Sequence, residues 1–161
     1  DRTKLNAYFH YDEIKGARVE NEKLFQRVLF CYAFGNGDAH LKNFSLFTST
    51  DGDPVFTSAY DLVNTTLHLP HETPLALALS ADDQTPAFQA FGFHCGTDFL
   101  LLAERLGVVA SRAERLLAHH LDAATNLQVD ELIGRSFLSP EAQERYRAMV
   151  SGRRRALSQS G

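Results

Sequence analysis

The chain has 161 residues, a length at which a folded domain buries roughly 70% of its unfolded surface, so no disulfide or metal staple is required. Its 44% hydrophobic and 22% charged residues are ordinary for a globular domain, and twelve Phe with no Trp predict a Phe-rich core. A formal charge of −4 removes the electrostatic footprint of a non-specific nucleic-acid binder, no apolar run reaches membrane-spanning length, and no signal peptide is expected.

In chain order, residues 1–20 are polar and aromatic, with Gly16 breaking any long helix. The pattern predicts a helix over 21–34, apolar on nearly all sides (Leu24, Phe25, Val28, Leu29, Phe30, Tyr32, Phe34) and therefore buried. Gly35-Asn36-Gly37 ends it. Residues 44–48 alternate like a strand and 54–58 read as its partner, joined through Asp51-Gly52 in a hairpin loop. A Thr-, His- and Pro-bearing loop covers 64–74, and the run Leu75-Ala76-Leu77-Ala78-Leu79 is expected as a core element behind the site described below. A helix over 97–106 is stopped by Gly107. Ser111 to Glu114 has the capping-box form, which places Ser111 at the start of a helix carrying Ala113, Leu116, Leu117, His120, Leu121 and Ala124 on one face. Ser139-Pro140 caps a last helix with the inward stripe Ala142, Tyr146, Met149 and Val150, followed by a polar tail over 151–161. The fold class is thus mainly α with one small β-hairpin, with a helical body over 84–157.

The densest polar cluster is Asp38-Ala39-His40-Leu41-Lys42-Asn43, and Asp61 follows Asn43 by eighteen residues, just past the second strand. A hairpin between them should return both ends to one place. Asp38, Asn43, Asp61 and Lys42 then supply the groups that phosphoryl transfer needs. A carboxylate accepts the proton of the attacking hydroxyl. An amide oxygen and a second carboxylate suit Mg²⁺, and a lysine offsets developing charge. The alternative is that Asp38 and Asn43 merely satisfy a turn after the helix end.

The stretch Gly35-Asn36-Gly37-Asp38-Ala39-His40-Leu41-Lys42-Asn43-Phe44-Ser45-Leu46-Phe47, with Ala59-Tyr60-Asp61-Leu62, resembles the catalytic segment of HipA-like serine/threonine kinases, the toxins of bacterial toxin–antitoxin pairs. The pattern is D-x-H-x-K-N-x-S, a hairpin, then Y-D-[LI]. The resemblance implies a kinase-like C-terminal lobe with a catalytic loop over 35–44 and a metal-site segment over 58–64. It also implies that Asp38 is the catalytic base, that Asn43 and Asp61 bind Mg²⁺ and the nucleotide, and that Lys42 lies near the phosphates. His40 matches a position shared with aminoglycoside phosphotransferases, where it supports the loop. ATP and Mg²⁺ are the implied cofactors. The implied partners are a protein substrate, typically an aminoacyl-tRNA synthetase, and a helix-turn-helix antitoxin through which alone DNA is contacted. The expected location is the cytoplasm, with no membrane association.

A kinase also needs a β-rich lobe with a Gly-rich loop and a phosphate-gripping lysine, and neither is found in the chain. The absence of Met at position 1 is read as a boundary between lobes, the N-terminal lobe being trimmed, lost or encoded separately. The isolated chain is then expected to be inactive, or to be a binding or regulatory module. A further alternative is a metal-dependent phosphohydrolase using Asp38, His40 and Asp61. Cys31 and Cys95 lack CxxC or zinc spacing and read as reduced thiols, and Cys95 beside His94 has no third partner to make a nucleophile. His119-His120 reads as packing rather than metal ligation, His68 and His71 as solvated, and Arg153 to Arg155 as a solvated tail.

Overall fold

The computed structural model describes residues 18–69, 71–79 and 85–159. The reading of Gly16 as a helix breaker lies outside them.

Apolar residues crowding one stretch of chain produce the central helix α1 (Arg18–Phe34). Leu24, Phe25, Val28, Leu29, Cys31 and Tyr32 on it are buried. The expected burial on all sides is corrected at Phe30, 37% exposed, whose ring rests on Phe34 with centroids 4.5 Å apart. The helix ends where Gly35 adopts φ +74°. Gly35 N–H donates to the Tyr32 carbonyl at 3.4 Å and Asn36 N–H to the Cys31 carbonyl at 2.9 Å, the paired bonds of a Schellman cap.

The chain then makes a 3₁₀ turn (Leu41–Asn43) and the antiparallel hairpin β1 (Leu46–Thr48) and β2 (Pro54–Phe56), with Leu46 opposite Phe56 and Thr48 opposite Pro54. Its loop closes by Ser49 N–H to the Asp53 carbonyl at 2.8 Å, with Gly52 at φ +89°. The strands are shorter than expected, and β1 is exposed throughout instead of alternating in burial. Only Phe56 is buried in the hairpin. Buried Glu20 ties the hairpin to α1, accepting from Phe56 N–H at 2.7 Å and from Lys23 at 2.6 Å. Burial pushes the Glu20 carboxyl up, but the Lys23 and Phe56 donors outweigh it and leave its pKa lowered.

Five helices follow: α2 (Pro86–Phe91), α3 (Gly96–Arg105), α4 (Ala110–Leu121), α5 (Ala123–Gly134) and α6 (Pro140–Leu157). Leucines, more than phenylalanines, fill the core that α1 shares with α3 and α4, which corrects the Phe-rich expectation. Leu75, Leu77 and Leu79 are buried there, as expected of a core element. Gly107, at φ +66°, ends α3. Ser111 is not the cap of α4. Val109 takes that place with no side-chain cap, because burial of Val108 and Ala113 on either side of the first turn fixes the start. Nor does the helix run on to Ala124. Asp122 breaks it by capping α5, accepting from Thr125 N–H at 3.0 Å. Ser139 caps α6 as expected. The supposed tail from Ser151 is its last turns, with Ala156 and Leu157 buried and Arg153 over the Tyr32 ring at 4.6 Å. Among the described residues no helix is long and apolar enough to cross a membrane.

Candidate functional site

The buried C-terminus of α1 is the anchor of the site. The last carbonyls of a helix need outside donors, and the segment after the hairpin supplies them. Asn64 Nδ2 donates to the Phe34 carbonyl at 2.7 Å, joined by the Tyr146 hydroxyl at 3.3 Å. The Gly35 carbonyl accepts from Thr65 N–H at 3.0 Å and from the Thr66 hydroxyl at 3.0 Å. A side chain at Gly35 would stand 2.6 Å from both Asn64 Nδ2 and Met149 Cε. Gly35→Ala therefore combines a left-handed backbone with a clash and should cost about 3 kcal/mol. Thermal unfolding should show a Tm lower by roughly 10 °C; a loss under 2 °C would contradict this docking.

The loop that follows is held from both sides. Gly37 N–H donates to Thr65 Oγ1 at 2.8 Å. A Cβ at Gly37 would meet Glu72 Oε2 at 2.5 Å and the Thr73 carbonyl at 2.7 Å. Asp38 is exposed, and its carboxylate engages none of the described residues. His40 is exposed too, and its backbone shapes the turn: its N–H donates to Asn43 Oδ1 at 3.1 Å and its carbonyl accepts from Asn43 N–H at 2.9 Å. Lys42 is exposed, and its carbonyl accepts from the Tyr60 hydroxyl, which lies 2.6 Å from Ser45 Oγ.

The two ends of the hairpin meet. Asn43 Nδ2 donates to Asp61 Oδ2 at 2.5 Å across eighteen residues of sequence. Asp61 has φ +54°, among the described residues the sole non-glycine with positive φ. Asn36, 3% exposed, donates from Nδ2 to the Asp61 carbonyl at 2.9 Å. A small cavity of about 10 Å³ is lined by Asn36, Ala39, Asn43 and Tyr60.

The family described as HipA-like C-terminal domain matches residues 6–127 of this chain. The chain belongs to that family. A Haemophilus influenzae protein named "Putative kinase" is 31% identical to this HipA-like domain over 110 residues, which is 63% of this chain and 32% of that protein. A Sinorhizobium fredii protein of the same description is 34% identical over 67 residues, 42% of this chain and 16% of its own length. The chain thus spans about a third of the first of these relatives. In structure it is similar to a chain of the Shewanella oneidensis HipA, HipB and operator DNA complex, with a TM-score of 0.65 at 22% identity over 91% of this chain and 34% of that one. The mostly helical architecture with a two-stranded sheet is therefore the kinase-like fold of HipA.

The donor set of the HipA-like domain fits a small hard cation. Asp61 could contribute a carboxylate oxygen once the Asn43 Nδ2 contact on it opens, and Asn43 Oδ1 keeps a lone pair beyond the one that His40 N–H occupies. Among the described residues no cluster of three or more His, Cys, Asp or Glu forms a complete cage. Such a partial set suits Mg²⁺, which takes few protein ligands and fills its sphere with phosphate oxygens and water.

Several residues at the site were not singled out from sequence. Asn36 reads as a turn residue between glycines, and Asn64, Thr65 and Thr66 as a polar loop; their partners lie 25 to 31 residues away. Glu72 Oε2 is buried beside Gly37 with no hydrogen-bond partner among the described residues. Leu62 lies between two apolar cavities of about 480 and 360 Å³ that share Phe30 and Phe34.

Of the remaining polar candidates, Cys95 and His120 are packed into the helical body. Cys95 is buried at the start of α3, where its N–H donates to Asp98 Oδ2 at 2.8 Å. His68 and His71 are exposed. His120 packs on Phe34, and burial, then His119 and Arg154, push its pKa down to about 4 from 6.5. Because the folded form resists protonation, the unfolded state binds more protons between these values, and stability falls as pH drops through that window. The fall attributable to His120 should approach 1.4 kcal/mol per pH unit at about its steepest. Denaturant unfolding at several pH values should show His120→Gln losing this component; equal slopes in both proteins would contradict it.

Proposed function

We propose that this chain is the base- and cation-bearing part of a HipA-like kinase, which moves the γ-phosphoryl group of ATP to a serine or threonine hydroxyl of a protein. The observation that carries the reading is the meeting of Asn43 and Asp61 at 2.5 Å, at the end of a loop on which Asp38 is exposed. In this reading Asp38 accepts the hydroxyl proton as its oxygen bonds to phosphorus and the bond to the leaving ADP oxygen breaks. Lys42 offsets charge on the transferring group. His40 sets the turn that presents Asn43. Mg²⁺, held by Asn43 and Asp61, would neutralise the phosphate charge when bound. Residues 35–44 act as the catalytic loop, 58–64 as the metal segment and 84–157 as the supporting body.

The nucleotide-gripping lobe is proposed to come from elsewhere in the same or a separate polypeptide, without which this chain would be inactive. The proposed substrate is a translation protein such as an aminoacyl-tRNA synthetase, in the cytoplasm and away from membranes. A helix-turn-helix antitoxin would be the regulatory partner and the route to DNA. The Shewanella complex, with HipB and operator DNA, supports that partnership by analogy.

The test is the complete protein with γ-labelled ATP, Mg²⁺ and a bacterial extract. Label on protein serine or threonine is the expected result. Release of labelled phosphate with no acceptor would favour a phosphohydrolase, and no ATP turnover at all a binding module; either overturns the proposal.

A further inference from the structure

We propose that Asn36 is a positioning residue that fixes the backbone of Asp61, and through it the cation ligand set; this rests on the kinase reading of the site. Asp61 holds φ +54°, a region in which a residue with a Cβ stays only when its surroundings hold it. Two contacts do so. Asn43 bonds the Asp61 carboxylate at 2.5 Å, and Asn36 bonds its carbonyl at 2.9 Å. The first must rearrange when a cation enters between the two side chains. The second involves neither ligand atom and can persist.

Asn36 is well built for that duty. Its own N–H is locked to the Cys31 carbonyl at 2.9 Å in the cap of α1, and it is 3% exposed. The neighbouring Gly35 carbonyl grips Thr65 and Thr66 just downstream of Asp61. Asn36 thereby ties the end of the central helix to a peptide 25 residues on. An amide is required there because a carbonyl acceptor needs a donor. An ionised aspartate would set oxygen against oxygen.

Supporting groups of this kind are typically worth 10- to 100-fold in metal affinity, and Asn36→Ala should weaken binding by roughly tenfold. The experiment measures Mn²⁺ affinity of the complete protein by electron paramagnetic resonance in the presence of a non-hydrolysable ATP analogue. It compares wild type, Asp61→Ala, Asn36→Ala and Asn36→Asp, with Tm recorded for each. The expected result is loss of binding in Asp61→Ala and about tenfold weaker binding in both Asn36 variants, with Tm less affected than by Gly35→Ala. Should Asn36→Ala not fold, the near-isosteric Asn36→Asp carries the comparison. If Asp61→Ala binds as tightly as wild type, the kinase reading of the site fails and this inference with it. If Asp61→Ala loses binding while the folded Asn36 variants keep wild-type affinity, the inference alone is overturned.

Discussion

Asp38→Ala in the complete protein should lower phosphoryl transfer by about 10³-fold while leaving the fold intact, since a positioned general base contributes 10²- to 10⁴-fold. The stability half of this expectation follows from its surroundings. Asp38 is exposed, and its carboxylate engages none of the described residues, so truncation breaks nothing. The loop is held instead through Gly37 N–H on Thr65 and through the Asn43 bonds to His40. Single-turnover transfer at saturating Mg·ATP, with Tm measured alongside, checks both halves. Transfer above a tenth of the wild-type rate would remove Asp38 from the chemistry. A large fall in Tm would make it a structural residue.

Asp61→Ala should be as severe, by about 10³-fold, but with a different signature. It removes the proposed cation ligand and the acceptor of the Asn43 contact together, and it places alanine at φ +54°. Asp61→Asn separates these effects. Asparagine tolerates the left-handed region and preserves the shape, but it lacks the charge. Asp61→Ala is expected to lose both transfer and some stability, and Asp61→Asn to lose transfer with Tm nearly unchanged. Activity titrated against Mg²⁺ should show Asp61→Asn partly recovered at high concentration. An Asp61→Asn protein with wild-type transfer at wild-type Mg²⁺ would deny the residue its role.

The parts of this architecture that were legible in sequence are those written in local chemistry. Gly35 and Gly107 mark helix ends because each must adopt positive φ, and Asp51-Gly52 closes a hairpin for the same reason. Ser139 before Pro140 marks a helix start through its hydroxyl and the fixed φ of proline. Where packing overrides a local signal, the local chemistry misleads. Ser111 has the sequence of a cap, yet burial of Val108 and Ala113 starts the helix earlier. The residues after Ser151 look like a polar tail, yet Ala156 and Leu157 reach the core and keep them helical. Phe30 counted as one more apolar residue of a buried helix, yet it faces an open trough.

The candidate site follows the same division. Asp38, Lys42, Asn43 and Asp61 are visible because their spacing around a hairpin constrains where they can go. The hold of Asn36 on Asp61, and of Asn64 and Thr66 on the end of α1, is invisible, because these partners are matched in space and carry no motif. A helix end with unsatisfied carbonyls announces that partners must exist but not which residues they are.

The most direct measurement is a crystal structure of the complete protein with Mg²⁺ and a non-hydrolysable ATP analogue. A cation held by Asp61 and Asn43 next to the nucleotide phosphates is expected, with Asp38 facing the space beyond the terminal phosphate. A nucleotide bound away from Asn43 and Asp61, or a cation that neither residue touches, would contradict it.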